Sequence, residues 1–161
     1  ALQAGIQEIY DDVRELLLNF RSRLPDAGLY QAIAVVVDKF QQQTGIAIEF
    51  ECVGQGVPLS REQQLQILFI VQEALSNIRK HADADSVTIR IEDGRNFELS
   101  ITDDGEGFDM EELAQQSESH IGLHIMQERS TSINAQLTVR SVQGQGTCVQ
   151  LCLSEEHRHA A

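Results

Sequence analysis

Basic charge is scarce in this chain: 12 Lys and Arg stand against 25 Asp and Glu over 161 residues, a formal net charge of −13. Duplex nucleic acids and anionic membrane surfaces are bound through clustered Lys and Arg that displace counterions, so neither is expected as a partner. Taken as a total, the charge also argues against a polyphosphate ligand. Long apolar runs are missing too. The longest, Ala32 to Val37 and Ile67 to Val71, fall far short of the ~18 residues a membrane helix needs, so direct membrane contact is not expected. The three cysteines, Cys52, Cys148 and Cys152, form no CxxC pair and are odd in number, which suits a reducing compartment better than a disulfide scaffold. There is no signal-like segment, no internal repeat and no initiator Met, and the sequence opens within a helical pattern, so a piece of a longer protein is expected. What remains, 42% hydrophobic and 23% charged residues, is the composition of one globular domain.

Apolar residues at Ile6, Ile9, Val13, Leu16, Leu17, Phe20 and Leu24 keep the spacing of an amphipathic helix, broken by Pro25, Asp26 and Gly28. A second helix is expected over Leu29 to Gln43, stopped at Thr44-Gly45. Ile46 to Cys52 alternates as a strand. Ser60 to Gln63 has the form of a capping box, opening a helix that should run to about His81. At 100° per residue Ile67, Val71, Ala74, Leu75 and Ile78 share one face, and Glu73, Asn77, Lys80 and His81 the opposite one. Ser86 to Glu92 and Phe97 to Thr102 alternate with period two around the hairpin signal Asp93-Gly94. Asp109 to His120 is polar without periodicity and reads as a mobile loop. Helical spacing resumes over Gly122 to Asn134, and strands over Gln136 to Val142 and Thr147 to Leu153 flank Gln143-Gly144-Gln145-Gly146. The tail, 154–161, is expected to fray.

Taken singly the chemical motifs are modest: Asp103-x-Gly105-x-Gly107 is commonly a turn, Gly144-x-Gly146 commonly a hairpin, and a polar helix stripe commonly a solvated face. Their order carries more. A helix ending E-x-x-x-N-x-x-K-H is followed by a hairpin, D-x-G-x-G, a polar loop, H-x-G-L and G-x-G-T.

That series resembles the ATP-binding domain shared by sensor histidine kinases, DNA gyrase B, the Hsp90 chaperones and MutL. Glu73 to His81 is similar to the N box, Asp103 to Gly107 to the G1 box, His120 to Leu123 to the G2 box and Gly144 to Thr147 to the G3 box. EALSNIRKHADA and HIGLHIMQERS resemble the kinases paired with NarL-like response regulators, and the whole chain is similar to the C-terminal part of nitrate/nitrite sensor kinases. The resemblance implies a two-layer α/β sandwich of the Bergerat type, a mixed sheet of about five strands with three helices on one face, preceded by an N-terminal helix. It divides the chain into 1–28, the end of a dimerisation and phosphoacceptor helix with its linker; 29–153, the catalytic domain; and 154–161, a tail.

It also implies a protein-histidine kinase: the γ-phosphate of ATP passes to a histidine upstream of this chain and then to a response regulator. The expected setting is a homodimer joined by upstream helices, as the cytoplasmic part of an inner-membrane sensor. The implied ligands are ATP and Mg²⁺. Asp103 would accept from the adenine amino group, and a guanine carbonyl would be rejected there as an unpaired acceptor. Gly105 and Gly107 would allow close backbone approach. Asn77 offers Mg²⁺ a neutral oxygen, Lys80 a positive charge for phosphate, and His81 a donor beside it. His120, Gly122 and Leu123 belong to the G2 box after a short lid of Asp109 to Ser119, with Gly122 expected at a helix start whose N–H groups hold an anion. The wider family often has Gly where His120 stands. Gly144, Gly146 and Thr147 close the site, Thr147 near the adenine and its water. For Glu73 two roles stay open: a base that activates water, or a residue of the metal shell that orients the nucleophile.

None of the five histidines, His81, His120, His124, His157 and His159, has the context of an acceptor, so the chain alone is expected to bind Mg-ATP without phosphorylating itself. Two other readings use the same residues. One is an ATP hydrolase or an anti-sigma-factor type of Ser/Thr kinase on this fold, and the other is an inert module that holds a partner. Net charge then constrains less than it first suggests, because recognition would be local and metal-dependent.

Overall fold

Five strands and three long helices follow from the periodicities above. In the computed structural model residues 28–56, 58–113 and 117–158 are described; the helix expected over Ile6 to Leu24 lies outside them. Helix α1 covers 28–44 and ends where Gly45, at φ +75°, donates its N–H to Gln41 (2.9 Å), a left-handed stop that costs glycine nothing. Strand β1 is Ala47–Val53. Helix α2, Arg61–Asn77, starts at the expected capping box: the Ser60 hydroxyl accepts from Gln63 N–H (3.1 Å) and the Gln63 side chain accepts from Ser60 N–H (3.0 Å). Strands β2 (Ser86–Asp93) and β3 (Phe97–Asp103), short helix α3 (Met110–Leu113), helix α4 (Ser117–Ser132) and strands β4 (Gln136–Val142) and β5 (Gly146–Leu153) complete the chain.

The strand order is β1-β2-β3-β5-β4, with β1 parallel to β2 and every other pair antiparallel, so the sheet is mixed as expected. Alternation decides which side is covered. Val87, Ile89 and Ile91 are buried while Thr88 is exposed between them, and Leu99, Ile101, Leu151 and Leu153 continue the apolar face across β3 and β5. Onto it pack Ile33, Val37 and Phe40 of α1, Ile67, Ile70, Val71 and Ala74 of α2, and Met126 of α4. Fully buried aliphatic side chains contribute roughly 1.5–3 kcal/mol each, so this face carries most of the stability. No helix among the described residues is long and apolar enough to cross a membrane.

Three departures from the sequence reading bear on the site. α2 does not run on as an α-helix to His81: it passes at Ile78–Ala82 into a π-helical turn and ends at Asp83 in the left-handed region, φ 49°. Wider turns of this kind are often found at functional sites. The polar stretch 109–120 is not all loop, because α3 lies within it and α4 begins at Ser117, five residues before Gly122. Apolar periodicity hides this start, since the first turn of α4 is polar. The tail is not frayed through 158 either. After the single turn Glu155–His157, the Arg158 guanidinium is fully buried, donating to Asp93 (2.7 Å) and to the Gly94 carbonyl (2.9 Å). Tyr30 of α1 donates to the other Asp93 oxygen, and burial and that carboxylate together push its phenol well above the ordinary range. Asp93, a turn residue by sequence, is thus the anchor that ties α1 and the tail to the β2–β3 hairpin.

Candidate functional site

Between the end of α2, the loop after β3 and the middle of α4 lies a cavity of about 230 Å³. Asn77 and His81 reach it from α2 and its π-turn, Asp103 from the end of β3, Leu123 from α4 and Thr147 from β5. Its remaining wall is mainly apolar, with Ile78, Met126 and Val149 around the Asp103 carboxylate. Drug-sized sites run to roughly 300–1,000 Å³, so this space suits a flat ring and leaves an attached polar chain to extend outwards.

Asp103 is 4% exposed. One carboxylate oxygen accepts from Gly105 N–H (2.8 Å), and the Thr147 N–H donates to the same group. Burial raises its pKa above the ordinary carboxylate range, the two backbone donors pull the other way, and neighbouring Asp104 pushes it up slightly. A carboxylate offers about four lone-pair sites, so two internal donors leave room for a donor from a ligand. Asp104 has a different task. It accepts from the N–H groups of Asp85 and Ser86 and from the Ser86 hydroxyl, fixing the start of β2 and holding its own carboxyl below the usual range.

The glycines act mostly on the protein's own backbone. A Cβ on Gly105 would overlap the Ala82 carbonyl, whose oxygen accepts from Glu106 N–H (2.6 Å), so the loop lies directly on the π-turn. Gly107 (φ +64°) and Gly146 (φ +94°) fit equally tightly against Val142 and Asp103, and Gly144 meets nothing within 4 Å but adopts φ +83°. The expected close approach is therefore real, but its partner is protein. Gly122 is not at a helix start: it lies in the second turn of α4, where a Cβ would fall 2.8 Å from Glu73 Oε1 and 3.0 Å from Asn77 Oδ1. Its lack of a side chain lets α4 close on α2, and it offers no free N–H cluster. His120 lies in α4 two residues earlier.

Asn77, His81, Asp103, Gly107, Leu123 and Thr147 are thus brought to one cavity. Glu73, 8% exposed, stands behind Asn77 beneath Gly122. Lys80 is half-buried in the π-turn and outside the cavity wall. Two residues escaped the sequence reading. Phe108 follows the glycine loop and lines the cavity, and Ser141, paired with Thr147 across β4 and β5, bonds both Phe108 N–H and the Thr147 hydroxyl. Only the strand register could have pointed to Ser141.

The residues fit the ligands they were read for. A buried acceptor in an apolar cleft suits a purine amino group. Asn77, on the cavity wall, offers a neutral amide oxygen of the kind Mg²⁺ accepts beside phosphate and water ligands.

Sheet, helices and cleft define an α/β sandwich with a base-sized cavity between its helical layer and a glycine loop. Residues 62–157 match the histidine kinase-, DNA gyrase B- and HSP90-like ATPase family, and the chain belongs to that family of ATP-binding domains. It is 34% identical over 150 residues to the signal transduction histidine-protein kinase/phosphatase DegS of Brevibacillus brevis, covering 92% of this chain and 38% of the relative. It is 32% identical to the nitrate/nitrite sensor protein NarQ of Escherichia coli, covering 91% of this chain and 26% of that one. The chain therefore spans about two fifths or less of these relatives. The blue-light activated histidine kinase of Erythrobacter litoralis shares the fold, with a TM-score of 0.73 at 19% identity over 92% of this chain and 55% of that one.

Proposed function

We propose that the chain is the ATP-binding catalytic domain of a two-component sensor histidine kinase. It positions ATP so that the γ-phosphate passes to a histidine outside the domain and from there to an aspartate of a NarL-like response regulator. The observation that carries this reading is the acceptor-only Asp103 at the floor of an apolar cleft, with Asn77 on the facing helix. The adenine amino group donates to Asp103, and Asn77 holds Mg²⁺ through its amide oxygen. Mg²⁺ held there would supply charge neutralisation at the phosphates, so that catalysis is chiefly positioning. His81, exposed at the cavity's edge, donates to phosphate, and Lys80 adds positive charge from the same turn. Glu73, set back behind Asn77, orients that amide rather than activating water. Relatives named as histidine kinases support the kinase reading over hydrolysis.

The relatives' names support a sensor as the setting, with nitrate or nitrite as the class of signal, and the family resemblance implies a homodimer at the inner membrane. We assign 29–153 to the domain, with the buried Arg158 tied to it, and 1–28, of which 1–27 lie outside the described residues, to the join with the phosphoacceptor. Calorimetry with ATP, with and without Mg²⁺, tests the site: binding that strengthens with the metal is expected, and none with either would leave an inert module. Incubation with labelled ATP should leave this chain unlabelled, whereas an acid-labile phosphohistidine on it would refute the assignment of the acceptor elsewhere. Glu73→Gln in a complete kinase dimer should slow phosphohistidine formation, and unchanged transfer with unchanged ATP affinity would remove Glu73 from the mechanism.

A further inference from the structure

One hydroxyl outside the residues assigned above sits where three segments meet. Ser141 Oγ, near the end of β4, accepts from Phe108 N–H (2.8 Å), lies 2.8 Å from Thr147 Oγ1 and 3.2 Å from the Gly146 carbonyl oxygen. A serine hydroxyl has one proton and two lone pairs. Phe108 occupies one lone pair, and the Gly146 carbonyl can only accept. All three contacts are made only if Ser141 gives its proton to Gly146 and receives one from Thr147. If Ser141 donates to Thr147 instead, the Gly146 contact is unmade. In the satisfied arrangement the Thr147 proton is committed to Ser141, so Thr147 turns only lone pairs towards the cavity. Thr147 lines that cavity beside Asp103, its partner in the β3–β5 register, and an ionised carboxylate is likewise only an acceptor.

We propose that Ser141 is a positioning residue that fixes the Thr147 hydroxyl as an acceptor and so sets the cavity's preference for a base bearing an amino group over one bearing a carbonyl. The inference rests on the nucleotide reading above. With Ser141 in place two acceptors face one edge of the base. An amino group is matched there, and a carbonyl meets lone pairs from both sides. Without the Ser141 hydroxyl, Thr147 is free to rotate and donate, which relieves the carbonyl base. The same oxygen holds Phe108 N–H, so the reading edge is tied to the loop that leads into α3.

The test is calorimetry on the full chain with Mg-ATP and with the magnesium complex of inosine triphosphate, which carries a carbonyl and a ring N–H where adenine has its amino group and a bare nitrogen. Ser141→Ala is expected to lower the ratio of the two affinities about five- to tenfold, the size of one hydrogen bond. Ser141→Thr, which keeps the hydroxyl, is expected to retain the wild-type ratio. In a Thr147→Val background, Ser141→Ala should shift the ratio no further. A merely structural Ser141 would weaken both nucleotides alike, and an unchanged ratio overturns the proposal. A further shift in the Thr147→Val background overturns it as well. If thermal melting shows Ser141→Ala unfolded, Ser141→Cys, close in volume with a weak S–H donor, supplies the same comparison. Failure of the wild-type chain to bind either nucleotide would overturn the nucleotide reading itself, whereas wild-type binding with an unmoved ratio overturns only the role of Ser141.

Discussion

Gly122→Ala should separate the stability of the fold from the competence of the site. The new Cβ would stand 2.8 Å from Glu73 Oε1 and 3.0 and 3.2 Å from Asn77 Oδ1 and Nδ2. All three atoms are the ends of side chains, so α2 and α4 need not part. Glu73 and Asn77 give way by turning, at about 0.5–1.5 kcal/mol for each rotamer pushed off its minimum. Against this, alanine inside a helix is favoured over glycine by about 0.8–1.0 kcal/mol. The two effects nearly cancel, and the net change should stay within about 2 kcal/mol, a Tm shift of no more than about 4–8 °C for a domain of this size. Function has no such compensation. Asn77 is the proposed metal ligand, and misplacing a positioning group by ~1 Å can cost on the order of a hundredfold. The expected result is at least a tenfold loss of Mg-ATP affinity by calorimetry, with ATP binding in EDTA changed far less. Two results would refute the reasoning: unchanged Mg-ATP affinity in a folded variant, which would detach Asn77 from the metal, or a melt lowered by more than about 15 °C, which would mean that the helices cannot accommodate the methyl group.

Gly105→Ala should behave in the opposite way, because its Cβ meets the Ala82 backbone carbonyl rather than a movable side chain; a loss of about 3 kcal/mol or more in urea unfolding is expected, in the range of severe overpacking. Asp103 has a raised folded-state pKa, so its contribution to stability is fully present below the ordinary carboxylate range and is lost as pH rises through the raised value. Asp103→Asn should therefore raise the urea midpoint at neutral pH while weakening ATP at least tenfold, and a lowered midpoint would contradict the sign. Wild-type ATP affinity should decline on acidification at a higher pH than an ordinary carboxylate would dictate, as read by calorimetry across a pH series. Arg158→Met removes a fully buried partner of Asp93 and should cost about 3–5 kcal/mol, measured by urea unfolding, with little effect on the ATP affinity of the folded fraction.

By itself the sequence determined what depends on neighbours along the chain. The capping box at Ser60 and Gln63, the stop at Gly45, the alternation that lays Val87, Ile89 and Ile91 on one face, and the order of the glycine and carboxylate motifs are local or periodic signals, and from them the mixed sheet, its three helices and the family were legible. Tertiary structure alone decided the rest, because hydrogen bonds and excluded volume act between residues far apart in the chain. The glycines of the loop at Asp103 serve the protein's own backbone, since β3, β5 and the π-turn converge there. Gly122 serves a helix crossing whose position depends on where α4 begins. Asp93 and Arg158, 65 residues apart, meet only once the hairpin and the tail are folded. Ser141 gains its position through strand register, which no motif encodes. Even the −13 charge acquires meaning only locally, at a cavity lined by one buried carboxylate, Asp103, where the proposed reading leaves the phosphates to the metal, His81 and Lys80.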